Sequence, residues 1–173
     1  VAFASGPDVD ITAVVRGALA RQPDAVLLIT SALDAARLAQ RFREIDTRVL
    51  LFAAQWASTE RLIELGGNAV EGMVLHSYFD RDSTAPGLRR LRQAYVQRFL
   101  REPDFAGVAA YDATYAVLEG LARRQGEQSL REALLTGGPF TGAEDGLTFD
   151  RNGDSRRVPH IMVVRDGQFV TVR

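Results

Sequence analysis

Between Pro23 and Trp56 the spacing of apolar residues changes twice. Ala25–Ile29 is a continuous apolar run, too short for a buried helix and bounded by turn formers, which predicts an interior strand. From Leu33 to Ile45 the residues Ala35, Leu38, Ala39, Phe42 and Ile45 recur at intervals of three and four, one apolar helix face. Val49–Phe52 is a second short apolar run. Strand, helix, strand in so few residues is a βαβ unit, whose crossover makes the two strands parallel. Their ends then deliver Thr30-Ser31 and Gln55-Trp56 to the same carboxyl edge of the sheet, where open α/β sheets bind ligands.

The flanking segments read in the same way. Val1–Phe3 looks like the tail of a strand closed by Ser5-Gly6-Pro7, and Asp8 or Asp10 can cap a helix carrying Ile11, Val14, Val15, Ala18 and Leu19. Ser31 with Asp34 matches a capping box, a role that is compatible with ligand contact because a helix start also attracts anions. A helix over Ser58 to Leu65 ends at Gly66-Gly67, and the strand Gly72–Leu75 leads to His76-Ser77-Tyr78-Phe79, a third decorated strand end. An Arg-rich helix with Leu88, Leu91, Tyr95 and Phe99 on one face closes at Glu102-Pro103. The helix from about Val108 to Arg124 carries a stripe of Tyr111, Tyr115, Leu118 and Leu121, and a capping box at Ser129 and Glu132 opens a shorter helix. Beyond Phe140 the character is β: Leu147–Phe149, the turn Asp150 to Asp154, then Val158–Val164 and Phe169–Val172 around Asp166-Gly167, a hairpin signal.

Composition narrows the function more than the fold. With 173 residues, 46% hydrophobic and 25% charged, the chain is an ordinary globular one. A net charge of −1 leaves no polyanion footprint, so no nucleic-acid partner is expected. All basic residues are Arg; without Cys there is no disulfide, thiolate metal site or Cys nucleophile. Val1 enters mid-strand, so an N-terminal part, with any signal peptide, is expected beyond this sequence. No Gly-x-Ser-x-Gly elbow, Walker loop or His-Glu-x-x-His occurs, so no enzyme activity, catalytic residue or cofactor is expected. Of the two histidines, His160 reads as a hairpin strand residue and His76 as a candidate site residue at a strand end. Asp150, Asn152 and Asp154 hint at calcium, yet Gly153 and Asp154 reverse the EF-hand order and the distal Glu is missing; a surface turn fits, and no metal site is expected.

Four stretches together resemble the type I periplasmic substrate-binding proteins of ABC transporters, the leucine/isoleucine/valine-binding family. They are Asp10 to Leu27 with its Pro-Asp-Ala-Val entry, Glu71-Gly72-Met-Val, Ala110-Tyr111-Asp112-Ala113-Thr114-Tyr115, and Phe140-Thr-Gly142 through Gly146-Leu-Thr-Phe149-Asp150-Arg-Asn152-Gly153-Asp154 into Val163 to Val170. The last is the most specific. The resemblance implies an α/β fold, a parallel three-layer αβα sheet with a C-terminal antiparallel hairpin. It also implies a hinged receptor that traps a small-molecule solute between two lobes for an ABC transporter permease, in the periplasm or lipid-anchored outside the cell. By that resemblance residues 1–80 and 143–173 belong to the second lobe, 81–104 lead to the crossover, and 105–138 are helices of the first lobe. Ser31 matches a lobe-two ligand contact, and Gln55 stands where amino-acid binders carry an acidic residue facing the ligand ammonium. An amide there removes a charge-assisted contact, and the expected solute is an amino acid or an amide or aromatic acid-like molecule. Trp56 suits a flat solute or packs the sheet edge; Tyr111 packs at the lobe interface or touches ligand. The expected ligand-binding set is Thr30, Ser31, Gln55, Trp56, His76, Tyr78 and Tyr111. A ligand-sensing domain of the same fold and an α/β enzyme fragment are the alternatives. Helices 108–135 carry enough apolar surface to pair two copies as a homodimer.

Overall fold

The structure, a computed structural model, describes every residue except Pro7, Asp145, Arg156 and Arg173, so Pro7 of the expected closing turn lies outside the described residues. The chain forms two compact units, Val1–Ser77 with His160–Arg173, and Tyr78–Pro159.

The first unit is a five-stranded sheet in the order β1-β2-β3-β4-β5. β1 (Ala25–Leu28), β2 (Leu50–Ala53) and β3 (Val74–Ser77) run parallel; β4 (His160–Arg165) and β5 (Gln168–Val172) join antiparallel. Its helices are α1 (Ile11–Leu19), α2 (Ala32–Ile45) and α3 (Glu60–Gly66). Asp10 rather than Asp8 caps α1, its carboxylate accepting from the Ala13 N–H at 3.0 Å. The α/β class and the C-terminal hairpin are as expected. Asp166 and Gly167 both have positive φ, 52° and 68°, the backbone a two-residue hairpin loop demands.

One sheet face is the core. Leu28, Ala53, Leu75 and Met162 align across the ladder and pack with Val15 of α1, Leu38 and Phe42 of α2 and Leu62 of α3. On the opposite face Leu27, Leu50, Ile161 and Val172 are exposed. The continuous apolar run therefore does not make β1 an interior strand: it is the edge of the sheet, pairing only with β2, and every second residue of it faces outward. Val1–Phe3 is likewise no strand, because a strand needs a ladder partner; Phe3 packs against the core instead. Ile45, expected on the buried face of α2, is exposed at its last turn, and Ala36 is buried in that helix.

The second unit holds α4 (Pro86–Phe99), α5 (Phe105–Arg123) and α6 (Leu130–Thr136). Leu88 and Leu91 of α4 pack with Phe79, Val108 and Ala143. α6 opens on a complete capping box at Ser129 and Glu132, and its Leu130 and Leu134 close on Gly120 of α5. The stripe itself is open: Tyr115, Leu118 and Leu121 are exposed, while Val108, Asp112, Ala116 and Gly120 form the buried side of α5. Segment 140–155 adds only isolated bridges, Phe140 to Leu147 and Phe149 to Ser155.

Candidate ligand-binding edge

Parallel pairing of β1 and β2 in the register Leu28↔Ala53, extended by the Ala54 N–H donating to the Leu28 carbonyl at 2.9 Å, makes both strands end at the same level. Thr30-Ser31 and Gln55-Trp56 therefore leave from one edge of the first unit. Ser31 is the N-cap of α2, its Oγ accepting from the Asp34 N–H at 3.3 Å. Asp34, 2% exposed, is the node beneath this edge. Its carboxylate accepts from the Ser5, Thr30 and Ser31 hydroxyls and lies 3.7 Å from the Arg37 guanidinium. A carboxylate in the first helical turn is favoured by the helix dipole as well. The Thr30 and Ser31 hydroxyls both approach the Asp34 carboxylate, at 3.5 and 3.3 Å.

Gln55 opens a 3-10 turn, Gln55–Ala57. Its carbonyl takes the Ser58 N–H at 2.8 Å and the Ser58 hydroxyl at 2.7 Å, which fixes the turn. The side chain is half-buried, and its Nε2 has no acceptor among the described residues. A buried amide donor left unpaired costs the fold about 1–3 kcal/mol. Trp56 beside it is 67% exposed, so it does not serve as packing for the sheet edge. The edge thus presents an open aromatic surface and two hydroxyls, while the unpaired Gln55 amide nitrogen beside Trp56 is enclosed by protein.

β3 runs two residues further than its apolar run suggested, so His76 is a ladder residue opposite Ile161, on the exposed sheet face. Ser77, buried, is the last strand residue.

Tyr78 and Tyr111 belong to the second unit, where both lean on the Phe79–Leu88–Val108 cluster. The Tyr78 hydroxyl donates to the Phe105 carbonyl at 2.5 Å, and the Arg157 guanidinium lies 4.8 Å over its ring. Burial pushes the Tyr78 phenol up to about 12. Tyr111 is also raised, by burial first and then by its hydrogen bond to Tyr115, whose ring centroid is 4.5 Å away. Arg157 forms an ionic contact of 2.7 Å with Asp112 Oδ2, while Asp112 Oδ1 accepts from the Ala143 N–H at 2.6 Å. Tyr78, Phe149 and Arg157 line a recess of about 340 Å³. Asp112 was visible only as part of a motif, and Arg157 gave no signal, since no local periodicity marks a partner so distant in sequence. Among the described residues no group of three or more acidic or histidine side chains could hold a metal ion.

Solved structures share the fold. A leucine binding protein of Thermotoga maritima superposes with a TM-score of 0.86 at 24% identity, over 99% of this chain and 50% of its own. A branched-chain amino acid transporter substrate binding protein of Streptococcus pneumoniae, in complex with isoleucine, gives 0.81 at 15% identity, over 98% and 51%. An ABC transporter solute binding protein of R. palustris, in complex with benzoate, gives 0.80 at 14%, over 98% and 48%. The chain spans about half the length of these structures. No curated protein matches. A family model described as periplasmic binding protein, a family of solute-binding proteins and not of enzymes, matches residues 2–168. The chain belongs to the periplasmic binding protein family.

Proposed function

We propose that this chain is part of an extracytoplasmic receptor, soluble or lipid-anchored, that captures a small solute for an ABC importer. Its first unit forms one wall of the binding cleft. Thr30, Ser31, Gln55 and Trp56 touch the solute from that wall; Tyr78 and Tyr111 support the second unit. The observation that carries this reading is the unfilled Gln55 Nε2 donor next to the open Trp56 indole. A donor paired with an aromatic surface suits a carboxylate or carbonyl on a flat solute better than an ammonium group. The benzoate complex of the R. palustris relative supports the same class.

Native mass spectrometry of the full-length receptor as purified identifies the bound solute, and calorimetry with that solute reads the contribution of each residue. Trp56→Ala in the full-length receptor is expected to weaken binding roughly tenfold or more, as anchors in desolvated sites do. The 173-residue chain alone, with one open wall, is expected to bind no tighter than about millimolar. Unchanged affinity in both Trp56→Ala and Gln55→Ala would remove the edge from the site, and micromolar binding by the short chain would show that one wall suffices.

The open stripe of α5, Tyr115, Leu118 and Leu121, supports a second property of the short chain: pairing of two copies through this helix. Light scattering across a concentration series is expected to show dimers that Leu118→Ser abolishes. A strict monomer at the highest concentration would end this idea.

A further inference from the structure

The C-terminal end of α4 is an apolar corner that its own unit leaves uncovered. Leu88 and Leu91 face the core of the unit and Tyr95 leans on it; Phe99 keeps one side of its ring on Tyr95, centroids 4.6 Å apart, and the apolar surface beyond it turns outward. Val96, Phe99 and Leu100 are 37%, 54% and 89% exposed, and their spacing of three and four places them on one side. Leu100 is unusual in its backbone as well. It caps α4 in the left-handed region, φ 57° and ψ 27°, where its N–H still reaches the Val96 carbonyl at 2.9 Å. That position favours glycine, because a Cβ there crowds the following carbonyl. Leu100 therefore opposes folding twice, through a strained backbone and through a leucine side chain left in water. No contact within the unit offsets either cost.

The surrounding charge is one-sided. From Pro86 to Arg101 there are five arginines, Arg89, Arg90, Arg92, Arg98 and Arg101, and no acidic residue, in a chain whose net charge is −1. Arg92 pairs with Glu102. The other four are exposed, and Arg98 and Arg101 flank Phe99 and Leu100 directly.

We infer that this corner rests on an anionic phospholipid bilayer, with Phe99 and Leu100 entering the boundary between headgroups and acyl chains and Arg98 and Arg101 meeting lipid phosphates. A bilayer accepts a projecting apolar side chain without a matching pocket, and its anionic headgroups hold nearby cations. A stable protein interface needs about 800 Å² from each partner, more than three side chains at a helix end supply.

Co-sedimentation of the 173-residue chain with vesicles tests this, using equal phosphatidylglycerol and phosphatidylcholine against phosphatidylcholine alone. Binding is expected to the anionic vesicles only, and to fall at high salt. Leu100→Gly is expected to lower it roughly tenfold, the partition loss of one buried leucine, while raising the thermal midpoint because glycine relieves the left-handed backbone. Leu50→Ser, on the open sheet face, is expected to leave vesicle binding unchanged. The inference is overturned if Leu100→Gly binds as well as the parent, if Leu50→Ser loses binding equally, or if neither vesicle is bound. Salt-sensitive capture on immobilised polyglutamate with vesicles ignored would also overturn it, and would assign the corner to an acidic protein.

Discussion

Asp112→Ala is expected to destabilise the second unit by about 3–5 kcal/mol, the cost of removing one partner of a buried ion pair. Two groups lose their partner at once. The Ala143 N–H, now bonded to Oδ1 at 2.6 Å, would be buried without a partner, and Arg157, only 19% exposed, would lose its counter-charge at 2.7 Å. The Tyr78 ring lies against the same guanidinium, so its packing would loosen too. Asp112→Asn keeps an acceptor for Ala143 while losing the charge, and should cost less. Urea unfolding at constant m-value measures both. A loss below about 1 kcal/mol for the alanine variant would mean that Asp112 is a bystander to the joint between α5 and the Gly142–Ala143 strip.

What could be read in the sequence follows from how local each signal is. The βαβ unit was legible because the period switches from runs to intervals of three and four and back within one short stretch, and only a parallel crossover joins such pieces. That rule alone places Thr30, Ser31, Gln55 and Trp56 at one edge. That His76 still lies within the ladder was not legible, because where a strand stops is set by its partner, here β4, and not by its own apolar run. The hairpin turn was legible because Asp-Gly tolerates the positive φ that the turn requires.

Burial was less legible. Periodicity reports which residues share a face, not which face is covered. In α5 the stripe of large apolar residues is the open one, and the buried one is built from Asp112, Ala116 and Gly120. Small residues and a hydrogen-bonded carboxylate let neighbouring segments come close, so contact there rests on shape and on a bond to Ala143. Asp34 was likewise seen as half of a capping box; its convergence with Ser5 and Thr30 needed the three-dimensional path of the chain. The unpaired Gln55 donor could not have been read at all, since satisfaction of a polar atom is a property of its surroundings.

The same distinction between pattern and proximity yields a pair of glycine substitutions with opposite signs. Gly17 lies inside α1 with no atom within 4 Å of where a Cβ would stand. Gly17→Ala should therefore stabilise the chain by about 0.5–1 kcal/mol, because alanine has less backbone freedom to lose in a helix. Gly87 lies in the first turn of α4, also helical and also an ordinary choice for alanine by propensity. A Cβ there would stand 2.1 Å from the Gly142 carbonyl oxygen and 2.8 Å from that of Ala143. Both obstacles are backbone, so no side-chain rotation relieves them. The strip itself is held in place, because the Ala143 N–H is bonded to the Asp112 carboxylate at 2.6 Å. Relief then requires α4 to move off the strip, opening the cluster of Leu88, Leu91, Phe79 and Val108. Gly87→Ala is expected to cost about 3 kcal/mol, the upper end of overpacking in a closed core. Thermal unfolding of the two variants beside the parent should shift in opposite directions; a Gly87→Ala midpoint at or above the parent's would show that α4 is free to slide over this joint.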